Sequence, residues 1–161
     1  MSNMQKLLRS MPRVGKVDFI SIRQKRKTLP TSLKNVKISV ENGLDGDHYK
    51  GSSRKRQVTL IQAEHLKAVA SLLEKDKIDP LLTRRNIVIS GVNLLAFKNM
   101  QFQIGEDVIL EMTGACHPCS QMETNFGAGG YNAMRGHGGI TAKVIQDGEI
   151  KIGDKVKLVR I

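Results

Sequence analysis

Apolar positions along this chain recur mostly at the period of a β-strand. Residues 14–22 are rich in β-branched side chains, and Val36, Ile38 and Val40 alternate with Lys37 and Ser39 as in a half-buried strand. Shorter apolar runs follow at 58–61 and in Ile87-Val88-Ile89, and strand-like segments recur at 101–104, 108–112, 140–145, 149–152 and 155–159. A helical period is clear once, between 62 and 75. There Leu66, Val69, Ala70 and Leu73 fall on one face, with Glu64 in the first turn where the helix dipole favours an acid. His65 lies off that stripe and reads as exposed. Residues 1–12 read as a short helix or frayed arm. Asp79-Pro80 interrupts regular structure, Asp147-Gly148 is a hairpin signal, and Gly105-Glu106 and Gly153-Asp154 are turn candidates. Many short strands, one good helix and no alternating βαβ series predict a mainly β fold. The expected form is a closed or nearly closed β-barrel with a few helical insertions over residues 14–161, after an N-terminal arm at 1–13.

Length and composition narrow the class. A chain of 161 residues has room for one domain. Aromatics are 4% and Trp is absent, so the core must rely on Ile, Val, Leu and Met. No run approaches the roughly 20 apolar residues that span a bilayer, and residues 1–13 lack a secretory apolar core, so a cytoplasmic protein without a membrane partner is expected. Two cysteines are too few for a disulfide scaffold, and a reducing cytosol would leave both as thiols. The net charge of +11 is uneven: residues 1–40 hold ten Lys and Arg against Asp18 alone, a balance of +9. The dense piece Arg23-Gln24-Lys25-Arg26-Lys27 has no interleaved aromatics for base stacking. It reads as a solvated loop able to dock an anionic partner, and nucleic acid is not expected.

Four segments carry candidate chemistry. Cys116-His117-Pro118-Cys119 follows a strand and is compatible with a redox pair, half a zinc site or two separate thiols. Outside it only His48, His65 and His137 remain as histidines, without paired spacing, so zinc is not expected. A dithiol oxidoreductase would sit in a βαβ context that the pattern lacks. One cysteine acting as nucleophile or soft-metal ligand is better supported, since a thiolate does either. Residues 127–139 hold six of the fifteen glycines, which permits close backbone approach to a ligand. This stretch is neither a Walker loop nor a dinucleotide fingerprint, and Arg135 and His137 within it favour a phosphate or oxyanion site over a plain connection. Arg84-Arg85-Asn86 forms a basic entrance to a buried strand. The segment from Gly43 to Gly51 displays Asp47 and His48 among turn formers.

Taken in chain order, the segments resemble the MOSC family, named for the C-terminal domain of molybdenum cofactor sulfurases. The resemblance rests on Gly46-Asp47-His48, Arg56-Gln57-Val58-Thr59-Leu60-Ile61-Gln62-Ala63-Glu64 and Arg84-Arg85-Asn86 through Leu95. It rests also on Cys116-His117-Pro118-Cys119-Ser120-Gln121-Met122-Glu123 and on the glycine segment ending Gly138-Gly139-Ile140. It covers roughly residues 14–159 and implies a β-barrel whose reactive residue is Cys119. That thiolate would carry sulfur as a persulfide or ligate molybdenum in a pterin cofactor. Asp47, His48, Arg56, Arg84, Arg85, Asn86, Arg135, His137 and Gly138 would form the cofactor-binding set, with Arg84, Arg85 and Asn86 holding the pterin phosphate. The implied function is that of a stand-alone MOSC protein in sulfur transfer or reduction of N-hydroxylated compounds, as an oxidoreductase or a sulfur carrier. The alternative is a non-catalytic carrier or chaperone for the cofactor or sulfur. The sulfur donor or electron-transfer protein would be supplied separately. One departure is visible: the loop reads Gly-Asp-His-Tyr where an Arg is expected after the Asp.

Overall fold

Seven strands close into a barrel in the computed structural model, which describes residues 1–49 and 51–160; Lys50, within the glycine-punctuated segment, lies outside them. In chain order the elements are α1 (Asn3–Leu8), β1 (Gly15–Ile22), β2 (Thr31–Leu33), β3 (Asn35–Ser39), β4 (Gly43–Leu44), β5 (Val58–Gln62), α2 (Ala63–Leu72) and β6 (Ile87–Ser90). Then come β7 (Gln101–Ile104), β8 (Val108–Ala115), α3 (Gln121–Phe126), α4 (Gly130–Met134), β9 (Ile140–Gln146), β10 (Gly148–Lys151) and β11 (Lys155–Leu158). The barrel runs β11-β7-β8-β9-β5-β6-β1 and closes where Gly15 and Lys16 pair with Val156 and Lys155. The far end of β1 pairs instead with β2, so the barrel opens there.

All barrel pairings are antiparallel except β5 with β6, where Leu60 faces Ile87 in parallel and α2 makes the crossover. One βαβ unit therefore exists, although no series does, and the cysteine motif lies outside it, after β8. A side sheet is ordered β10-β3-β4. This corrects the hairpin expected at Asp147-Gly148: β9 pairs with β5 and β8, while β10 pairs with β3. The Asp147 carboxylate accepts the Val40 N–H at 2.7 Å, and the turn carries the chain from the barrel to the side sheet. A tight hairpin joins β7 to β8 at Gly105, whose φ of 68° suits glycine.

Period-two alternation splits the apolar residues between two cores. Leu60, Ile87 and Ile89 point into the barrel with Phe97, Phe102 and Leu110. Their neighbours Ile61 and Val88 point outward, against Val69 of α2 and Met122, Phe126 and Met134 of α3 and α4. The helices thus cover one outer face of the barrel and brace the segments around the cysteines. His65 departs from its exposed reading: it is half-buried, with the His137 ring edge-on at 5.2 Å, and its Nδ1 is buried without a partner among the described residues. Burial, and secondarily His137, lowers its pKa, with Glu64 opposing. The N-terminal arm is helical because Ser2 and Gln5 form a capping box. It is tied down by Arg9 donating to the Val159 carbonyl and Arg13 to that of Gly91. Among the described residues no helix is long and apolar enough to cross a membrane.

Candidate functional site

A cavity of about 480 Å³ lies where β1, β5 and β6 meet the segment after β8. The end of β1 contributes Ser21 and Arg23, the loop after β4 Asp47 and His48, and the approach to β5 Arg56. The turn before β6 adds Arg84, Arg85 and Asn86, and the cysteine motif His117 and Cys119. Four arginines thus face one carboxylate among the described lining residues. No ion pair among those residues engages any of the four.

Arg23 belongs by sequence to the solvated basic loop, but the structure sets it apart from that loop. Lys25, Arg26 and Lys27 are exposed, but Arg23 turns inward, and its Nε and Nη1 are buried without a hydrogen-bond partner among the described residues. Its main chain is fixed by donating N–H to the Asp47 carboxylate at 2.9 Å and by accepting the His48 N–H at 2.7 Å. A buried donor left unpaired costs roughly 1–3 kcal/mol, more when charged, so these atoms are suited to an anionic ligand. The sequence signal available for it was its position one residue beyond a buried strand. Asp47 answers it incompletely: burial raises its pKa, against the lowering effects of the Tyr49 and His48 amides, the His48 charge and the Asn86 side chain.

The arginines before β6 differ from each other. Arg84 is half-buried, with a left-handed φ of 60° at the end of a 3₁₀ turn, Pro80–Thr83, that Asp79 caps. Arg85 is 6% exposed and donates to four main-chain carbonyls: Gly138 at 2.7 Å, Thr83 at 3.2 Å, and Cys116 and His117 at 3.4 Å each. Burial lowers its pKa; the two cysteines oppose this and Arg56 and Arg84 add to it. Asn86 is equally committed, accepting from the Thr59 N–H and hydroxyl and donating to the Ser21 carbonyl. Both line the cavity, where their polar groups also hold the chain. Arg56 is exposed, with Nη2 3.9 Å from the Cys116 sulfur.

The glycine segment enters the site by its backbone. Gly138 presses against the Cys116 carbonyl so closely that a Cβ would lie 2.1 Å from that oxygen. Arg135 and His137 do not line the cavity. Arg135 is exposed beside a separate hollow with His117, Pro118 and Tyr131, and the His137 Nδ1 lies 2.9 Å from the Ala133 carbonyl. Part of the expected loop is α4, held by the Glu123 carboxylate, which accepts the Gly129 and Tyr131 amides at 3.0 Å and has its pKa lowered by them. The thiols are distinct: Cys119 is exposed on the cavity wall, whereas Cys116 is 2% exposed and donates its N–H to the Gly139 carbonyl at 2.8 Å. Among the described residues no cluster of three His, Cys, Asp or Glu could hold a metal.

A closed seven-stranded barrel with an arginine-lined cavity ending on an exposed thiol is the class of protein that this architecture defines. The MOSC domain matches residues 38–157, most of the chain, and the chain belongs to that family. No curated protein matches the sequence. Among solved structures it resembles YuaD from Bacillus subtilis, at TM-score 0.77 and 16% identity, over 89% of this chain and 94% of that one. It also resembles YiiM from Escherichia coli (TM-score 0.69, 18% identity, 93% of this chain and 71% of that one). YiiM from Geobacillus stearothermophilus gives 0.72 and 16%, over 91% and 75%. At such identities the likeness is one of fold.

Proposed function

We propose that this MOSC domain binds a phosphate-bearing pterin cofactor of molybdenum in the arginine cavity and presents Cys119 as its reactive thiol. The reaction would be sulfur transfer or reduction of N-hydroxylated compounds. The observation that carries the reading is the pair of buried, unpartnered nitrogens of Arg23. Arg23 lines a cavity whose cations outnumber its acids and whose volume falls within the range of small-molecule sites, and these two donors lie behind that wall without a partner among the described residues. Arg23 would hold the phosphate through charge-assisted hydrogen bonds, with Arg56 and Arg84 adding positive charge at the same site. When bound, the cofactor supplies two-electron redox chemistry. Cys119 suits it as a soft ligand, and equally suits the holding of a sulfane sulfur. Asp47, held protonated to higher pH than an open carboxyl, can keep or release a proton beside these cations. Sulfur or electrons would come from a separate protein.

The test is elemental analysis for molybdenum, with cyanide-labile sulfur, on protein reconstituted anaerobically with the cofactor. Wild type should retain one or the other. Cys119→Ser should lose both, Arg23→Gln should lose the cofactor, and Cys116→Ser should keep a substantial share. Retention of molybdenum and labile sulfur by Cys119→Ser would refute the assignment, as would a wild type that retains neither.

A further inference from the structure

We propose that Arg85 is a positioning residue: it clamps the segment leading to Cys119 and keeps Cys116 closed off, while Arg23 is left to meet the ligand. The proposal rests on the reading of Cys119 as the reactive thiol. A guanidinium has five N–H donors. Arg85 makes four hydrogen bonds, all to main-chain carbonyls, from three stretches distant in sequence: Thr83 before β6, Cys116 and His117 after β8, and Gly138 before β9. At most one N–H remains for a ligand. Arg23, lining the same cavity, has the opposite inventory, with Nε and Nη1 buried and unspent.

The contacts around Arg85 form a closed set. Gly138 abuts the Cys116 carbonyl, and a Cβ there would also lie 3.3 Å from the Arg85 Nη2. The Cys116 N–H is held by Gly139, and its sulfur lies 3.9 Å from Arg56. Cys116 is therefore pinned at its N–H and its carbonyl while Cys119, three residues on, stands exposed. A planar fork can bridge three backbone segments at fixed angles, whereas a lysine ammonium donates from one atom and cannot. The clamp also sets a positive charge close to both thiols, so Arg85 has two separable effects, geometric and electrostatic.

Thiol chemistry on the native protein separates them. In wild type, an aromatic disulfide reagent should titrate Cys119 quickly and Cys116 slowly, and Cys119 should favour iodoacetate over iodoacetamide. Arg85→Lys keeps the charge and loses the fork: Cys116 should react at least about tenfold faster, as a buried group does once its local structure opens. The preference for iodoacetate should persist. Arg85→Gln should release Cys116 as well and cut that preference by about threefold, since the local field weakens. Arg23→Lys should leave the thiol pattern intact and abolish the rise in Tm caused by inorganic phosphate. For Arg85→Lys, a Cys116 that stays slow would overturn the proposal, and so would a lost phosphate response with an unchanged thiol pattern in that same variant. Should Arg85→Lys not fold, Gly138→Ala strikes the same clamp from the other side, and slow Cys116 there would overturn it equally. A wild type insensitive to phosphate would sink the anion cavity and leave the thiol arms standing.

Discussion

Replacing Asn86 by alanine should destabilise the barrel rather than the ligand. The Asn86 side chain accepts from the Thr59 N–H at 3.0 Å and the Thr59 hydroxyl at 3.1 Å, and donates to the Ser21 carbonyl at 3.2 Å. It thereby ties β1, β5 and β6 together where they open onto the cavity. Asn86→Ala leaves the Thr59 N–H and the Ser21 carbonyl without these partners. Ser21 is 2% exposed, so its carbonyl has little recourse to water, whereas Thr59 is half-buried. Unsatisfied buried groups cost about 1–3 kcal/mol each, which puts the loss at about 2–4 kcal/mol once some hydration of Thr59 is allowed. For a domain of this size that corresponds to a Tm lower by roughly 5–15 °C. Denaturant unfolding would read the stability, and the phosphate-induced rise in Tm would read the cavity separately. An unchanged midpoint with a lost phosphate response would refute the reasoning, because Asn86 would then be spending its amide on the ligand.

Other expectations follow from the same structure. Gly139→Ala places a Cβ 1.9 Å from the Leu60 carbonyl at a φ of 86°, so a loss of about 2–4 kcal/mol or an insoluble product is expected; a near-normal Tm would show that β5 and β9 can part there. His65 is held below its ordinary 6.5, so the unfolded chain binds more protons as pH falls from above 6.5 to the lowered native value, and stability falls with it. His65→Gln should flatten that decline, and an unchanged slope between about pH 7 and 5 would assign it elsewhere. Asp47 has the opposite sign: its native pKa is raised above 3.8, so its contribution declines as pH rises from 3.8 through the native value, and Asp47→Asn should remove that component. Neutralising Lys25, Arg26 and Lys27 together should move Tm by less than about 2 °C, since exposed charges contribute little; a larger drop would mean that the segment is packed.

The barrel class and most of its strands were legible in the chain, because period-two alternation is a local property: each strand records which of its faces is dry. The same holds for the stripe Leu66, Val69 and Ala70 on α2. Strand partners are not local. Asp147-Gly148 has the composition of a hairpin turn, yet its strands join different sheets, since barrel closure gives β9 the edges of β5 and β8. The cysteine motif and the basic entrance were visible as motifs, but their duties were divided by depth in the fold. Arg23 and Lys25 are equivalent in a charge count; one turns into a cavity and the other into water. Arg85 was legible as a basic residue at the entrance to a strand, but its acceptors are main-chain carbonyls, which every residue carries and no motif records. Arg135 and His137 lay in a promising glycine segment until α4 and the His65 contact set both outside the cavity. Residue type limits what a side chain can bond; which groups are brought within reach, and which donors are left unspent, depends on packing among segments distant in sequence.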